Sequence, residues 1–165
     1  MQRITNSVID TIGNTPLVEI RRLNPNKNVK IFAKLESFNP GGSIKDRVAL
    51  HMVNEAEKRG ELSRDMIILE ATSGNTGIGL ALVAAAKGYR LCLAMSESAS
   101  EERKKILRAM GAELHFTPAN LGTDGAIEVA YNMMLQNPGK YFGTDQFNNI
   151  DNMMAHYLGT GEEIW

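Results

Sequence analysis

One lysine, Lys45, follows a Pro-Gly-Gly turn at the predicted start of a helix, within residues 39–47 (Asn-Pro-Gly-Gly-Ser-Ile-Lys-Asp-Arg). The first turn of a helix carries unpaired backbone N–H groups and the positive end of the helix dipole, and both favour the neutral form of a nearby amine. A neutral amine attacks carbonyl carbons and forms Schiff bases. Because an isolated lysine is usually a solvated surface group, Lys45 needs a second feature to support this chemistry.

That second feature is the segment 70–79, Glu-Ala-Thr-Ser-Gly-Asn-Thr-Gly-Ile-Gly, which lies between a predicted buried strand and a predicted helix. Open α/β folds bind ligands at the carboxyl ends of their strands, and small hydroxyl side chains with free N–H groups suit a carboxylate or phosphate. Its glycine spacing is not the dinucleotide fingerprint, and no Gly-Lys-Ser/Thr follows to make a P-loop. A Schiff-base lysine beside an anion-binding turn suits pyridoxal phosphate and an amino-acid substrate.

These motifs resemble those of the cysteine synthases, or O-acetylserine sulfhydrylases, which are fold-type-II pyridoxal-phosphate enzymes related to cystathionine β-synthase. The matching segments extend over the whole chain: residues 12–18, 39–47, 72–79, 122–125 and 145–149, Glu97-Ser98 with Ser100 and Arg103, and His156-Tyr157 with Thr160 and residues 163–165. Two positions depart from the family pattern. Ser96 stands where a proline is usual, and Ala99 where methionine is common, so the resemblance leaves the substrate preference open.

The resemblance implies a role for each matching residue. Lys45 would hold the cofactor as a Schiff base and remove the α-proton of the substrate, and Asn75 would hydrogen-bond the 3′-oxygen of the cofactor. The residues that would bind the substrate carboxylate are Thr72, Ser73, Gly74, Thr76 and Gln146. The implied reaction replaces the acetate of O-acetylserine with sulfide and produces cysteine.

Composition restricts the other classes of function. The 165 residues are 43% hydrophobic and carry a formal net charge of −1, with few aromatic residues, which argues against nucleic-acid binding. No apolar run reaches the roughly 18 residues of a membrane helix, and no signal-peptide pattern is visible, so we expect no membrane partner and a cytoplasmic location. The three histidines lack the spacing of a metal site, so no metal is expected. The lone Cys92 lies in an apolar run and is expected to be buried.

Strands and helices alternate from residue 44 onward, and this predicts an α/β fold with an open parallel sheet flanked by helices. Helices are predicted over residues 44–59, 76–87, 100–110, 124–135 and 150–157, and strands over 66–69, 90–95, 112–116 and 141–142. Two earlier strands, 17–20 and 29–32, are predicted to form a hairpin-like unit. Asp46 and Arg47 are expected to stabilise the start of the first helix by charge pairing.

The resemblance also implies a two-domain protein of roughly twice this length. Residues 1–12 and 35–147 would form the small domain, whereas 13–34 and 148–165 would belong to a larger cofactor domain whose sheet normally covers the early strands. The Gly-Thr-Gly-Gly-Thr turn that holds the cofactor phosphate in the family would lie beyond Trp165. The segment Gly159-Thr160-Gly161 precedes two glutamates, which would repel a phosphate. We therefore expect this chain by itself to bind pyridoxal phosphate weakly and to be nearly inactive.

Three interpretations stay open at this point. The chain is the amino-terminal half of a cysteine synthase, or a truncated paralogue that acts as an interaction or regulatory module, or an enzyme of cystathionine β-synthase type that uses serine and homocysteine, with O-phosphoserine as a further possible substrate. We expect a homodimer, in which the early strands are exchanged between copies if their apolar side chains would otherwise be exposed.

Overall fold

A computed structural model describes residues 4–165. The strands are β1 (Leu17–Glu19), β2 (Phe32–Lys34), β3 (Ile67–Ala71), β4 (Arg90–Ser96), β5 (Glu113–Thr117) and β6 (Tyr141–Gly143). The α-helices are α1 (Lys45–Arg59), α2 (Asn75–Lys87), α3 (Glu101–Ala109), α4 (Gly122–Gln136), α5 (Ile150–Ala155) and α6 (Gly161–Ile164). Short 3-10 turns lie at Val8–Thr11, Glu36–Phe38 and Ala119–Leu121, and a π-helical turn, His156–Thr160, joins α5 to α6.

The main sheet has four parallel strands in the order β5-β4-β3-β6, which confirms the predicted α/β fold. All five residues of β3 are buried, because helices cover both faces of the sheet. One face packs on α1, α2 and α3 through Ile68, Leu91, Leu93 and Met95. The other packs on α4 through Ile67, Leu69, Ala71, Cys92 and Ala94. Cys92 is therefore buried, as its apolar surroundings predicted.

Helices α1 and α2 approach each other closely at their amino-terminal ends. A Cβ atom added to Gly79 in α2 would lie 2.9 Å from the carbonyl oxygen of Lys45 and 3.2 Å from the Cβ of Ala49 in α1. Only glycine fits at this crossing without displacing one of the two helices. The crossing sets the start of α1 against the first turns of α2.

The two early strands pair as predicted, but the position of the second strand was wrong. β1 and β2 form a separate antiparallel pair, with Val18 opposite Ala33, and β2 begins at Phe32 rather than at residue 29. The preceding residues belong to a turn closed by Asn24, whose side-chain amide donates to the carbonyl oxygen of Val29 (2.6 Å). Several apolar side chains of this segment are exposed, namely those of Leu17, Val18, Val29, Ile31 and Phe32.

The predicted helix over residues 150–157 was wrong at its carboxyl end. The α-helix ends at Ala155, and the chain then widens into the π-helical turn before α6. Within this turn the buried Thr160 hydroxyl lies 3.0 Å from Nδ1 of His156. None of the helices described between residues 4 and 165 has both the length and the apolar character needed to cross a membrane.

Candidate functional site

Lys45 is the first residue of α1, and the turn before it packs directly on the helix start. The backbone N–H of Lys45 donates to Ser43 Oγ (3.1 Å), and the N–H of Gly41 donates to Asp46 Oδ2 (2.5 Å). A Cβ at Gly41 would overlap with the Asp46 carboxylate, which explains the glycine. The Lys45 side chain is half-buried, and its Nζ makes no hydrogen bond or ion pair with residues 4–165. A half-buried amine without a partner is available to a ligand.

Arg47, two residues further along α1, joins three parts of the chain. Its guanidinium is 6% exposed and donates to Glu36 at 2.7 and 2.9 Å and to Glu163 at 2.6 and 2.7 Å. Glu163 also pairs with Lys34 at 2.5 Å. We call Arg47, Lys34, Glu36 and Glu163 the Arg47 cluster. The expected charge pairing at the helix start is thus confirmed for Arg47, whereas Asp46 instead accepts a backbone N–H.

The segment between β3 and α2 forms the predicted turn at the end of a buried strand. Thr72 continues the strand, since its N–H donates to the carbonyl oxygen of Ala94 (3.0 Å), and its hydroxyl accepts the N–H of Gly74 (3.1 Å). α2 then begins at Asn75, whose side chain is exposed, while Ser73 is half-buried. The first-turn N–H groups of a helix have no intrahelical acceptor, so this turn offers donors to an anion.

Gln146 lies in the loop after β6 and meets this turn, although the two are 70 residues apart in the chain. The Thr76 hydroxyl donates to Gln146 Oε1 at 2.7 Å. The start of α1, with Lys45, crosses α2 beside Gly79. The turn at residues 72–76 and Gln146 follow the neighbouring parallel strands β3 and β6. The residues predicted for the site therefore lie on neighbouring elements. His156 joins them from the carboxyl-terminal segment: its pKa is lowered by burial and by the positive charges of Lys45 and Arg47.

Glu70 was missed by the sequence reasoning, which gave it no role. It is 4% exposed at the end of β3 and accepts hydrogen bonds from the Thr144 hydroxyl (2.5 Å) and the backbone N–H of Gln146 (3.1 Å). Burial raises the pKa of its carboxyl group. The only signal in the sequence was an acidic residue inside an apolar strand, two positions before the Thr-Ser-Gly-Asn-Thr turn begins at Thr72.

The donor set fits part of pyridoxal phosphate. The amine of Lys45 suits the aldehyde of the cofactor, and the exposed amide of Asn75 suits the 3′-oxygen attached to its ring. The first turn of α2 suits a substrate carboxylate. The segment 159–161 does not fit the phosphate group, because it is helical and its Thr160 hydroxyl is occupied by His156. Within residues 4–165, no three or more His, Cys, Asp or Glu side chains are grouped to hold a metal ion.

Comparison with known proteins identifies the family of the chain. Residues 8–165 match the family described as pyridoxal-phosphate dependent enzyme. Cysteine synthase B of Salmonella typhimurium is 52% identical over 160 residues, which are 97% of this chain and 52% of the relative. The crystal structure of cysteine synthase (OASS) from Entamoeba histolytica is 47% identical, with a TM-score of 0.95 over 99% of this chain and 49% of that one.

A second solved structure is a hydrogen sulfide-producing enzyme from Fusobacterium nucleatum. It is 46% identical, with a TM-score of 0.91 over 99% of this chain and 53% of that one. The chain therefore spans about half the length of each of these three proteins.

Proposed function

The chain belongs to the family of pyridoxal-phosphate dependent enzymes, and we propose that it supplies the amino-terminal half of the active site of a cysteine synthase. The proposed reaction replaces the acetate of O-acetylserine with sulfide, giving cysteine and acetate. One observation carries the proposal: the unpaired amine of Lys45 and the Thr76–Gln146 pair lie at the starts of two helices that cross in contact. The similarity to proteins named cysteine synthase supports the choice of reaction.

Each residue has a defined task in this proposal. Lys45 would hold the aldehyde of the cofactor, and its free Nζ would take the α-proton of the substrate. Asn75 hydrogen-bonds the 3′-oxygen of the cofactor. The substrate carboxylate is bound by Thr72, Ser73, Gly74, Thr76 and Gln146. Bound pyridoxal phosphate supplies an electron sink that stabilises negative charge at the substrate α-carbon.

We also propose a division into two structural units. Residues 1–12 and 35–147 form the small domain, of which residues 1–3 lie outside the described part of the chain, and residues 13–34 and 148–165 belong to a larger one. Support comes from the β1–β2 pair, which is separate from the main sheet and exposes apolar side chains such as Phe32. Further support comes from Glu163, which binds Lys34 and the N–H of Asn14. A homodimer and a cytoplasmic location stay predictions.

Chemical trapping tests the role of Lys45. Pyridoxal phosphate is added to the 165-residue chain, the mixture is reduced with borohydride, and labelled lysines are located by peptide mass spectrometry. We expect preferential labelling of Lys45, loss of that label in Lys45→Ala, and no effect of Lys105→Ala, which removes an exposed lysine. Labelling spread evenly over surface lysines would refute the assignment.

The affinity of the isolated chain for pyridoxal phosphate is measured in a separate experiment. We expect weak binding, since no phosphate-holding turn is found among the residues described. Titration of the absorbance of the bound cofactor measures this affinity directly. A stoichiometric complex that is stable to dialysis and is lost in Lys45→Ala would overturn the weak-binding prediction while supporting Lys45.

A second candidate function keeps Lys45 and changes the substrate. Ser96, which stands where the family usually has proline, is buried at the end of β4, and its Oγ lies 2.8 Å from that of Ser98, so an extra polar group is present where the strand ends. The alternative reaction would be cystathionine formation from serine and homocysteine. Competition between O-acetylserine with sulfide and serine with homocysteine, measured by chromatography on the enzyme at the full length of its relatives, decides between them. If neither pair reacts, the proposal of a non-catalytic interaction module is favoured.

A further inference from the structure

Glu70 is a buried carboxylate to which the proposed chemistry gives no task. Each of its oxygens accepts two hydrogen bonds: Oε1 from the N–H of Ala71 (2.9 Å) and from Gln146 Nε2 (3.4 Å), and Oε2 from the Thr144 hydroxyl (2.5 Å) and the N–H of Gln146 (3.1 Å). Two of these four donors belong to Gln146. We propose that Glu70 is the positioning residue of Gln146 and thereby of the carboxylate-binding turn. This inference rests on the proposed function only in taking the substrate carboxylate as the ligand of Gln146.

The carboxylate determines which end of the Gln146 amide faces Thr76. Because the nitrogen end is held toward Glu70, the oxygen end accepts the Thr76 hydroxyl at 2.7 Å. The opposite orientation would place the amide oxygen against a carboxylate oxygen. An amide nitrogen has two N–H donors, so one remains for a substrate carboxylate after Glu70 has taken the other.

The loop that carries Gln146 is strained and therefore needs such an anchor. Asp145 has a φ of 45°, which is uncommon for a residue with a side chain. Its two neighbours, Thr144 and Gln146, are the residues that Glu70 binds. The loop continues from β6 along β3, since the N–H of Thr144 donates to the carbonyl oxygen of Leu69 (3.1 Å). Glu70 thus holds a strained residue from both sides.

No cation of residues 4–165 pairs with Glu70, so its charge is stabilised by hydrogen-bond donors alone. The titratable groups that face this region are Asp145 on the loop and Tyr131 on α4, whose hydroxyl donates to Asp145 (2.9 Å). Burial raises the pKa of Glu70 above its ordinary value of 4.5. Protonation removes an acceptor from Gln146, so the loop responds to pH without any cofactor.

Nuclear magnetic resonance of the ¹⁵N-labelled chain tests the proposal. In the wild-type chain, the backbone and side-chain amide signals of Gln146 are expected to shift together with pH, with a midpoint above 4.5. Glu70→Gln should abolish this titration and speed hydrogen exchange at the Gln146 backbone N–H by about tenfold, because a neutral amide oxygen is a weaker acceptor than the carboxylate that it replaces. The matched control is Glu128→Gln, which removes an exposed carboxylate from α4.

The outcomes separate the two proposals. Gln146 signals that do not titrate in the wild-type chain, or exchange that is equal in Glu70→Gln and Glu128→Gln, overturn the positioning role. If Glu70→Gln does not fold, the titration of the wild-type chain alone decides. Titrating Gln146 signals in a chain whose Lys45 is not labelled by pyridoxal phosphate would support the positioning role and count against the proposed function.

Discussion

Replacing Glu163 with glutamine removes one charge from the Arg47 cluster while keeping the shape of the side chain. The cluster has two cations and two anions, all with side chains that are less than one-fifth exposed: 6% for Arg47, 10% for Lys34, 15% for Glu36 and 19% for Glu163. Glu163→Gln leaves one positive charge without a counter-ion in this nearly dry environment. We expect the folded chain to lose stability.

The size of the loss follows from the bonds that Glu163 makes. It accepts two hydrogen bonds from Arg47, one from Lys34 and one from the N–H of Asn14. Breaking a buried ion pair costs about 3–5 kcal/mol, and the amide oxygen of glutamine retains part of the interaction, so the loss should be about 3 kcal/mol. With an m-value of about 2 kcal/mol/M for a chain of this size, the urea midpoint should fall by about 1.5 M.

The dependence of this loss on pH has a defined sign. Hydrogen bonds from Arg47 hold the pKa of Glu163 far below its ordinary value of 4.5. A depressed carboxyl pKa contributes stability that is fully present above the unfolded pKa and is lost as the pH falls toward the folded one. The difference between the wild-type chain and Glu163→Gln should therefore be complete at pH 7 and shrink below a pH of about 4.5.

Urea unfolding followed by circular dichroism measures both effects, and Glu162→Gln is the matched control. Glu162 is the exposed neighbour of Glu163, so its substitution should change stability by less than about 0.5 kcal/mol. The reasoning would be refuted by equal stabilities of the two variants at pH 7. It would also be refuted by a stability difference that persists unchanged in acid.

Three further substitutions or reactions probe the framework of the site. Burial raises the pKa of the Cys92 thiol to about 11, so a disulfide reagent at a pH of about 8 should react with the native chain about 100-fold more slowly than with the urea-unfolded chain. Gly79→Ala should lower the urea midpoint, because overpacking against the Lys45 carbonyl costs about 1–3 kcal/mol, more than the helix propensity of alanine restores. Ser100→Ala should cost about 0.5–1 kcal/mol in urea unfolding, since Ser100 Oγ accepts the N–H of Arg103 at the start of α3.

Each of these three predictions has a control or a result that would contradict it. Equal thiol reaction rates in the native and unfolded chains would contradict the burial of Cys92. Ala85→Gly, at an exposed position of α2, calibrates helix propensity, and a Gly79→Ala chain more stable than wild type would contradict the close crossing. Ser100→Gly should cost only a few tenths of a kcal/mol, so a loss as large as that of Ser100→Ala would argue against the cap.

Two predicted boundaries were wrong, those of the second early strand and of the helix that begins at residue 150. The second early strand was placed at residues 29–32 because of its apolar content, but the turn closed by Asn24 extends to Val29 and delays β2 to Phe32. The helix predicted over residues 150–157 showed no break in its sequence, yet it widens after Ala155. The side-chain hydrogen bond of Asn24 and the π-helical turn after Ala155 leave no periodic trace in the sequence.

The sequence by itself determined the alternation of strands and helices, the turn before Lys45 and the turn at residues 72–76 that we propose binds an anion. These features depend on neighbouring residues and on hydrophobic periodicity, which a linear chain displays directly. Gln146 was identified only through the resemblance to a family.

Only the tertiary structure decided which distant residues meet. It joins Arg47 to Glu163 across 116 residues and Glu70 to Gln146 across 76. A buried charge is stable only with its partners in place, and those partners come from separate elements that packing brings together. The sequence thus suggested the role that we propose for Lys45, whereas the contacts of α1 with Glu163 and the pairing of Thr76 with Gln146 depend on the fold.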